Sequence, residues 1–573
     1  MERSKVKREG IHYTPPGLAS FLADATVRHL PSSGDRIEVL DPSCGSGALL
    51  YAFAQATAPK LRKHLVLVGY EKDADAIETT RTTLAGLDVA EVVLEVRDFL
   101  ELDGVDSFGS GRQLGLFSEH RNESSRRYDA VIANPPYVRT QVLGAKQAQA
   151  LAERFRLTGR VDLYHAFTKA MAHVLRPGGV LGLLTSNRFL TVRSGEAVRR
   201  FLETEFDLQA VFDLGDTRLF SAAVLPVIVV GKRRDRLNSA RHICTFVRVY
   251  ECRTNESHVA FQSPSVLEAL RTRKMVGVVQ TDAGRFRIER GVLQPSDGAS
   301  IWSLSTPEYD EWLQTVESRK AFVFDDISRI RVGIKTTADE VFVRSDWTEL
   351  PDEHQPEAAL LHPLITHHKA GRWIATPADE NLLVLYPHTT RNHKRVPIEL
   401  NDYPRAKAYF IAHEARLRRR HYVLESGRRW YEIWVPHQPS DWRKPKIAFP
   451  DIAEEPRFFL DQSGAIVQGD CYWITLKDNC DPDRLFLMLA IANSSFITKY
   501  YDIAFHNKLY AGRRRFMTQY VKRFPIPQPG SPIAGRIIQH VKGIIKHGPS
   551  SKSEQTVNGL VWEAFGLSEE IAR

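Results

Sequence analysis

Ile37-Glu38-Val39-Leu40-Asp41-Pro42-Ser43-Cys44-Gly45-Ser46-Gly47 is the stretch that decides the fold of this chain. Ile37–Leu40 is a short apolar strand, and the segment 47–58 after the turn has helical spacing. Gly45 and Gly47 let the backbone come close to a ligand at a helix N-terminus, where unpaired N–H groups and the helix dipole favour polar partners. The turn lacks the Gly-Lys-Ser/Thr of a phosphate loop and the G-x-G-x-x-G of a dinucleotide fingerprint.

Outward from this unit, strand-like and helix-like segments alternate. Strands are read at 65–70, 92–96, 128–133, 180–184, 208–213 and 224–230, and helices at 74–87, 163–175 and 197–206. Such alternation predicts an α/β fold with a doubly wound, mostly parallel sheet and helices on both faces. Ligands of such sheets sit outside the carboxyl ends of the strands. The chain places polar side chains there: Asp41 after the first strand, Glu71 after the second and Asp98 after the third. Glu71 suits a pair of ribose hydroxyls, and Asp98 a donor such as an adenine amino group. After the fourth strand comes Asn134-Pro135-Pro136-Tyr137. Its prolines end sheet pairing and stiffen the backbone, its amide oxygen can accept from an exocyclic NH2, and its ring can stack on a planar base.

Composition sets wider bounds. The 573 residues suffice for two to four domains, and 26% charged with 43% hydrophobic residues describes an ordinary soluble globular protein. No apolar segment follows the basic start, and the longest apolar runs, such as 485–492, are too short to span a bilayer. The five cysteines contain no C-x-x-C pair, which argues against a disulfide framework or a structural zinc and for a reducing, cytoplasmic setting. The net charge of +9 is modest, but basic residues cluster. Residues 405–429 hold eight Arg/Lys against two Glu, and 508–523 hold six with no acid. Such runs suit a polyanion or a solvated helix face. The alternating pattern ends after 232–236, so domains are expected at 1–250, 251–530 and, where helical periodicity returns, 531–573. Residues 104–127 read as a surface loop.

The motifs together resemble the class I, S-adenosylmethionine-dependent methyltransferases, and within them the γ-class, TaqI-type N6-adenine DNA methyltransferases. His12-Tyr13-Thr14-Pro15-Pro16 resembles the family's N-terminal motif, Asp41–Gly47 its cofactor loop, Glu71 its ribose acid and Asp98-Phe99 its adenine contact. Asn134–Tyr137 matches its catalytic motif, and Asp162-Leu163-Tyr164 and Arg176-Pro177-Gly178-Gly179 match the following helix and strand entry. Phe220 falls where the family places a second aromatic against a flipped base. The resemblance covers roughly residues 10–235 in register. Val332–Phe342, Asn493-Ser494-Ser495 and Phe524-Pro525-Ile526-Pro527 resemble pieces of the family's C-terminal target-recognition domain, of α+β type. The family commonly has Gly where this chain has Thr337.

The resemblance implies site-specific transfer of a methyl group to adenine N6 of a base rotated out of double-stranded DNA. Asn134, Pro135, Tyr137 and Phe220 are the expected catalytic residues. Tyr13, Thr14, Asp41, Pro42, Ser43, Cys44, Gly45, Glu71, Asp98, Phe99, Asn134 and Pro136 are expected to hold S-adenosylmethionine, Cys44 as a small packing residue. Arg418, Arg419, Arg420, Lys508, Arg513, Arg514 and Arg515 are expected on DNA, with Trp430, Tyr431, Tyr510 and Phe516 interleaved. No metal is expected, since a sulfonium methyl is already activated. The expected protein is a cytoplasmic monomer, with a separate cognate restriction endonuclease as its functional partner. C5-cytosine chemistry needs a thiolate, commonly in Pro-Cys, where this chain has Pro-Pro-Tyr. N4-cytosine stays open, because it too is an exocyclic amine. A protein-glutamine methyltransferase would not need so large a basic C-terminal region, and an RNA methyltransferase is a further alternative. No Lys has Asp or Glu two residues before it, and the N-terminal motif begins at His12, so a fused nuclease is not expected.

Overall fold

The computed structural model describes residues 13–30, 35–102, 127–137, 145–157, 162–219, 225–235, 243–252, 259–272, 275–293, 301–376, 381–505, 509 and 512–569. The chain divides into two compact units, Met1–Pro307 with Leu509–Gly512, and Glu308–Lys508 with Arg513–Arg573.

The first unit is built on one large sheet. Its strands are β1 (Ile37–Asp41), β2 (Leu65–Glu71), β3 (Glu91–Val96), β4 (Tyr128–Ala133), β5 (Leu175–Ser186), β6 (Phe206–Asp213), β7 (Pro226–Arg233), β8 (Thr245–Glu251), β9 (Phe261–Gln262), β10 (Gly277–Thr281), β11 (Gly284–Leu293) and β12 (Leu304–Ser305). The order is β3-β2-β1-β4-β5-β7-β6-β8-β11-β10-β9, with β12 on β11. β2 and β4 are buried on both faces, which is why each is a near-continuous apolar run. β3 lies at the sheet edge and is more exposed. β1 pairs in parallel with both β2 and β4. The strand order therefore reverses at β1, and the carboxyl ends of β1 to β4 share one edge. The helix Ala48–Ala56 packs against β1 and β4, and Ala74–Leu84 against β2 and β3.

Two differences from the expected layout have physical causes. β7 inserts antiparallel between β5 and β6 instead of extending a parallel series. The sheet also runs on past residue 250, because β8 pairs with β6 and β11 with β8. Val224, expected to begin a strand, lies outside the described residues, and β7 starts at Pro226.

The second unit contains a four-stranded sheet in the order Ser328–Val332, Cys471–Leu476, Lys446–Pro450, Phe459–Asp461, antiparallel throughout. The helices Pro532–His547 and Ser551–Ala564, expected as a separate segment, pack on Arg484–Ala492. Their Ile537, Val541, Val561 and Trp562 are buried in one core with Leu487 and Phe496. Among the described residues, no helix is long and apolar enough to cross a membrane.

Candidate active site

The site is assembled at the carboxyl edge of β1 to β4. The Cys44 N–H donates to the Tyr70 carbonyl at 2.9 Å, which folds the loop after β1 back over β2. That approach needs Gly69, because a Cβ there would lie 2.9 Å from Cys44 Sγ and 2.8 Å from a Leu94 methyl. Gly47 caps the next helix with a left-handed φ of +81°, and a Cβ there would press on Thr80 at 2.9 Å. Thr80 in turn donates its hydroxyl to the Gly45 carbonyl at 2.6 Å. Thr80 went unnoticed in the sequence, since nothing in its local pattern marks a loop 35 residues away.

The carboxylates have distinct surroundings. Asp41 is buried and accepts the Ser43 N–H at 3.1 Å. Burial pushes its carboxyl up to about 8, with the nearby negative Glu71 adding to the rise and the Ser43 bond opposing it. Glu71 accepts three backbone N–H groups, from Gly45 at 3.1 Å, Lys72 at 2.7 Å and Asp73 at 3.3 Å. A carboxylate has about four lone-pair sites, so Glu71 is fixed in place yet can still accept. Asp98 caps a short 3-10 turn by accepting the Leu100 N–H at 3.0 Å, and its other oxygen meets the Lys72 ammonium at 2.5 Å. Lys72 is a second unforeseen member of the site, legible only in its position directly after Glu71.

The other expected cofactor residues divide between surface and core. Tyr13 is 59% exposed, and its ring lies over Gly45, 3.4 Å from where a Cβ would stand. Cys44 is packed beneath the loop, and burial pushes its thiol up, so it stays neutral as a small packing residue. Pro42 is buried, and the Ser43 hydroxyl oxygen has no hydrogen-bond partner among the described residues. Phe99 is buried with its ring centroid 6.1 Å from Tyr70 and 5.9 Å from Phe167. Among the described residues, no group of three His, Cys, Asp or Glu is placed to hold a metal.

At the end of β4, the Asn134 amide nitrogen donates to Thr14 Oγ1 at 3.0 Å, and its oxygen accepts the Tyr137 hydroxyl. The amide is thereby oriented from both ends. Pro135 is buried and Pro136 partly so, which fixes the peptide around Asn134. Burial raises the Tyr137 phenol well above its ordinary range, with Tyr164 close enough to add to the effect. Thr14 thus meets the amide of the Asn-Pro-Pro-Tyr motif. His12 and Phe220 lie outside the described residues.

The basic residues expected on DNA do not form one class. Arg420 is 5% exposed and donates to the carbonyls of Leu417, Thr336 and Trp430 at 3.2, 2.8 and 2.6 Å. Arg514 is also buried, and its guanidinium forms a two-pronged pair with Asp502 at 2.7 and 2.8 Å. Arg515 pairs with Asp451 at 2.8 Å. These three are engaged by the fold of their own unit. Arg418, Arg419 and Arg513 are exposed, Arg418 over the Trp430 ring and paired with Glu414. Tyr431 and Phe516, expected beside them on a nucleic-acid surface, are core residues. Lys508 and Tyr510 lie outside the described residues.

A sheet of this order, with its polar loop ends gathered where β1 meets β4, is the doubly wound α/β core expected from the sequence. Residues 67–220 match the Eco57I restriction-modification methylase family, and residues 391–526 the TaqI-like C-terminal specificity domain. The chain is 38% identical to the type II methyltransferase M.BanIII of Aneurinibacillus aneurinilyticus, over 98% of each chain. It is 23% identical to the type II methyltransferase M.BstVI of Geobacillus stearothermophilus, over 98% of this chain and 97% of that one. The solved type IIL restriction-modification enzyme MmeI shares the fold at a TM-score of 0.59 and 12% identity, over 99% of this chain and 73% of that one. The chain belongs to the type II methyltransferases of restriction–modification systems.

Proposed function

We propose that this protein methylates the exocyclic N6 of adenine at a specific site in double-stranded DNA, with S-adenosylmethionine as methyl donor, as the modification component of a restriction–modification system. The observation that carries the reading is the Asn134 amide, held by Thr14 on one side and bonded to Tyr137 on the other, at the same sheet edge as Asp41, Glu71 and Asp98. The residues at that edge fit the cofactor. Glu71 retains acceptor capacity for a ribose diol, Asp98, paired with Lys72, would accept from an adenine amino group, and the Ser43 hydroxyl lacks a partner among the described residues. When bound, S-adenosylmethionine supplies an electrophilic methyl group on a sulfonium.

The protein's own residues prepare the acceptor. The target nitrogen lies inside a duplex, so the base must be rotated out, at a cost of a few kcal/mol. The Asn134 Oδ1 and the Pro135 carbonyl would accept the two N6 hydrogens, which draws the nitrogen lone pair out of conjugation. Fixed dipoles and proximity then do the remaining work. Asn134 Oδ1 has a second lone pair for the amine beside the Tyr137 hydroxyl, and the Tyr137 ring would stack on the base.

The reading is tested by expressing the protein in cells and sequencing their DNA with modified-base detection. N6-methyladenine in one recurring context is expected. N4-methylcytosine would overturn the base assignment, and unmodified DNA would overturn the function.

A further inference from the structure

The carboxyl edge of the first unit carries a second polar feature, one strand beyond Asn134. β5 runs parallel to β4, with Leu183 opposite Ala133, so both strands leave the sheet on the same side. β5 is followed by the 3-10 turn Asn187–Leu190. In the strand order this turn lies on the far side of β4 from β2 and β3, the strands that lead to Glu71 and Asp98.

The turn is firmly mounted. The Asn187 N–H donates to the Leu225 carbonyl at 2.8 Å, and its amide donates to the buried Asp213 at 2.9 Å and to the Tyr250 hydroxyl at 3.3 Å. Tyr250 itself donates to the other Asp213 oxygen at 3.0 Å. Phe189 and Leu190 are buried, the Phe189 carbonyl accepting from the buried Arg199 and the Leu190 carbonyl accepting the Trp302 N–H at 2.8 Å. Arg188 is left exposed between these anchored neighbours.

Lys72 and Arg218, further cations at this edge, are paired with Asp98 and Glu251. The Arg188 guanidinium makes no hydrogen bond or ion pair among the described residues. Its charge nevertheless reaches the Asn-Pro-Pro-Tyr motif. Burial and the Asp162 charge push the Tyr164 phenol up while Arg188 and Arg199 oppose the rise, and Tyr164 in turn acts on Tyr137. An unpaired guanidinium on a fixed turn calls for an anion that arrives with a ligand. A nucleotide rotated out of a duplex brings a phosphodiester on each side of its sugar, and the planar guanidinium fork matches two phosphate oxygens.

We propose that Arg188 grips a phosphate flanking the extruded nucleotide and so holds the base at Asn134. This rests on the reading of the protein as a DNA methyltransferase. The contact forms when the nucleotide leaves the stack, so it offsets part of the cost of extrusion instead of tightening binding of the intact duplex.

The test uses the full chain and a duplex carrying the site found by modified-base sequencing. Each of the two phosphates flanking the target nucleotide is replaced in turn by an uncharged methylphosphonate. Arg188→Ala, checked for an unchanged melting temperature, is expected to lower kcat/KM on the native duplex by about 10- to 150-fold, the worth of one hydrogen bond to a charged group, and Arg188→Lys to recover part of the loss. On one of the methylphosphonate duplexes the wild type should fall to the level of Arg188→Ala, which itself loses nothing more. With 2-aminopurine as the target base, the fluorescence rise on binding should be smaller for Arg188→Ala. Equal rates, or an equal fluorescence rise, overturn the proposal. So does a variant slowed by the same factor on all three duplexes. A raised KM for S-adenosylmethionine with an unchanged KM for DNA also overturns it, by assigning Arg188 to the cofactor carboxylate. Should the wild type methylate nothing, the reading of the catalytic site fails instead. The same coupling is then read in the affinity for duplexes selected by binding, with methylphosphonates scanned along them.

Discussion

The carboxyl edge of the first unit and the arginine runs of the second are both dense in polar side chains, yet they are built in opposite ways. At the sheet edge, Glu71 is fixed by backbone N–H groups and keeps lone pairs to offer, and the Ser43 hydroxyl has no partner among the described residues. In the arginine runs, Arg420 and Arg514 are buried with their donors engaged by carbonyls and by Asp502. The difference shows that position in the fold, not local charge density, decides whether a polar group is consumed by the fold or keeps capacity to bind. A buried guanidinium is retained only if it is paired, so a run of arginines in a well-packed unit includes members that serve the fold.

The comparison can be broken by mutation. The largest effect is expected at Asn134. Asn134→Ala should lower the methylation rate by about 10²–10³-fold, the loss typical of one preorganised dipole, while leaving the melting temperature near that of the wild type. Arg514→Ala and Arg513→Ala form the sharpest contrast in the second unit. Losing Arg514 removes the two-pronged pair with the partly buried Asp502 and should cost about 3–5 kcal/mol in denaturant unfolding. Losing exposed Arg513 should change stability by less than about 0.5 kcal/mol. Equal effects of the two would show that the distinction between fold-serving and free arginines is wrong.

Smaller effects separate the parts of Tyr137. Tyr137→Ala removes the ring and should weaken handling of the flipped base by about 1–3 kcal/mol, read as loss of kcat/KM on duplex DNA. Tyr137→Phe keeps the ring and frees the Asn134 oxygen, so it should retain most activity. A pH-dependent effect is expected at Asp41, whose carboxyl burial pushes up to about 8 in the folded state, against about 3.9 in an unfolded chain. The folded state then binds one more proton than the unfolded state between those values. Stability from this group is complete below about pH 4 and declines as pH rises toward 8. Asp41→Asn should therefore raise the melting temperature relative to the wild type at pH 8 and have little effect near pH 4.

Much of the first unit was legible because its signals are local. β2 and β4 are apolar runs buried on both faces, and each is followed directly by the polar residue that marks the site, Glu71 at the end of β2 and Asn134 after β4. What was not legible depends on partners distant in sequence. The insertion of β7 between β5 and β6, and the continuation of the sheet through β8 and β11, follow from pairing that no local period encodes. The same holds for Thr14, which meets Asn134 across 120 residues, and for Arg420, which meets Thr336 across 84. Thr337 is the converse case. It is a β-branched residue, yet the backbone keeps the left-handed turn because its neighbours hold it.

The central claim is that Asn134 presents an exocyclic base amine for methylation. It is tested most directly by incubating purified protein with methyl-labelled S-adenosylmethionine and duplex DNA, digesting the DNA to nucleosides and locating the label. The predicted result is label in N6-methyldeoxyadenosine with the wild type, incorporated about 10²–10³-fold more slowly with Asn134→Ala. Label on C5 of cytosine or on protein, or undiminished labelling by the variant, would contradict it.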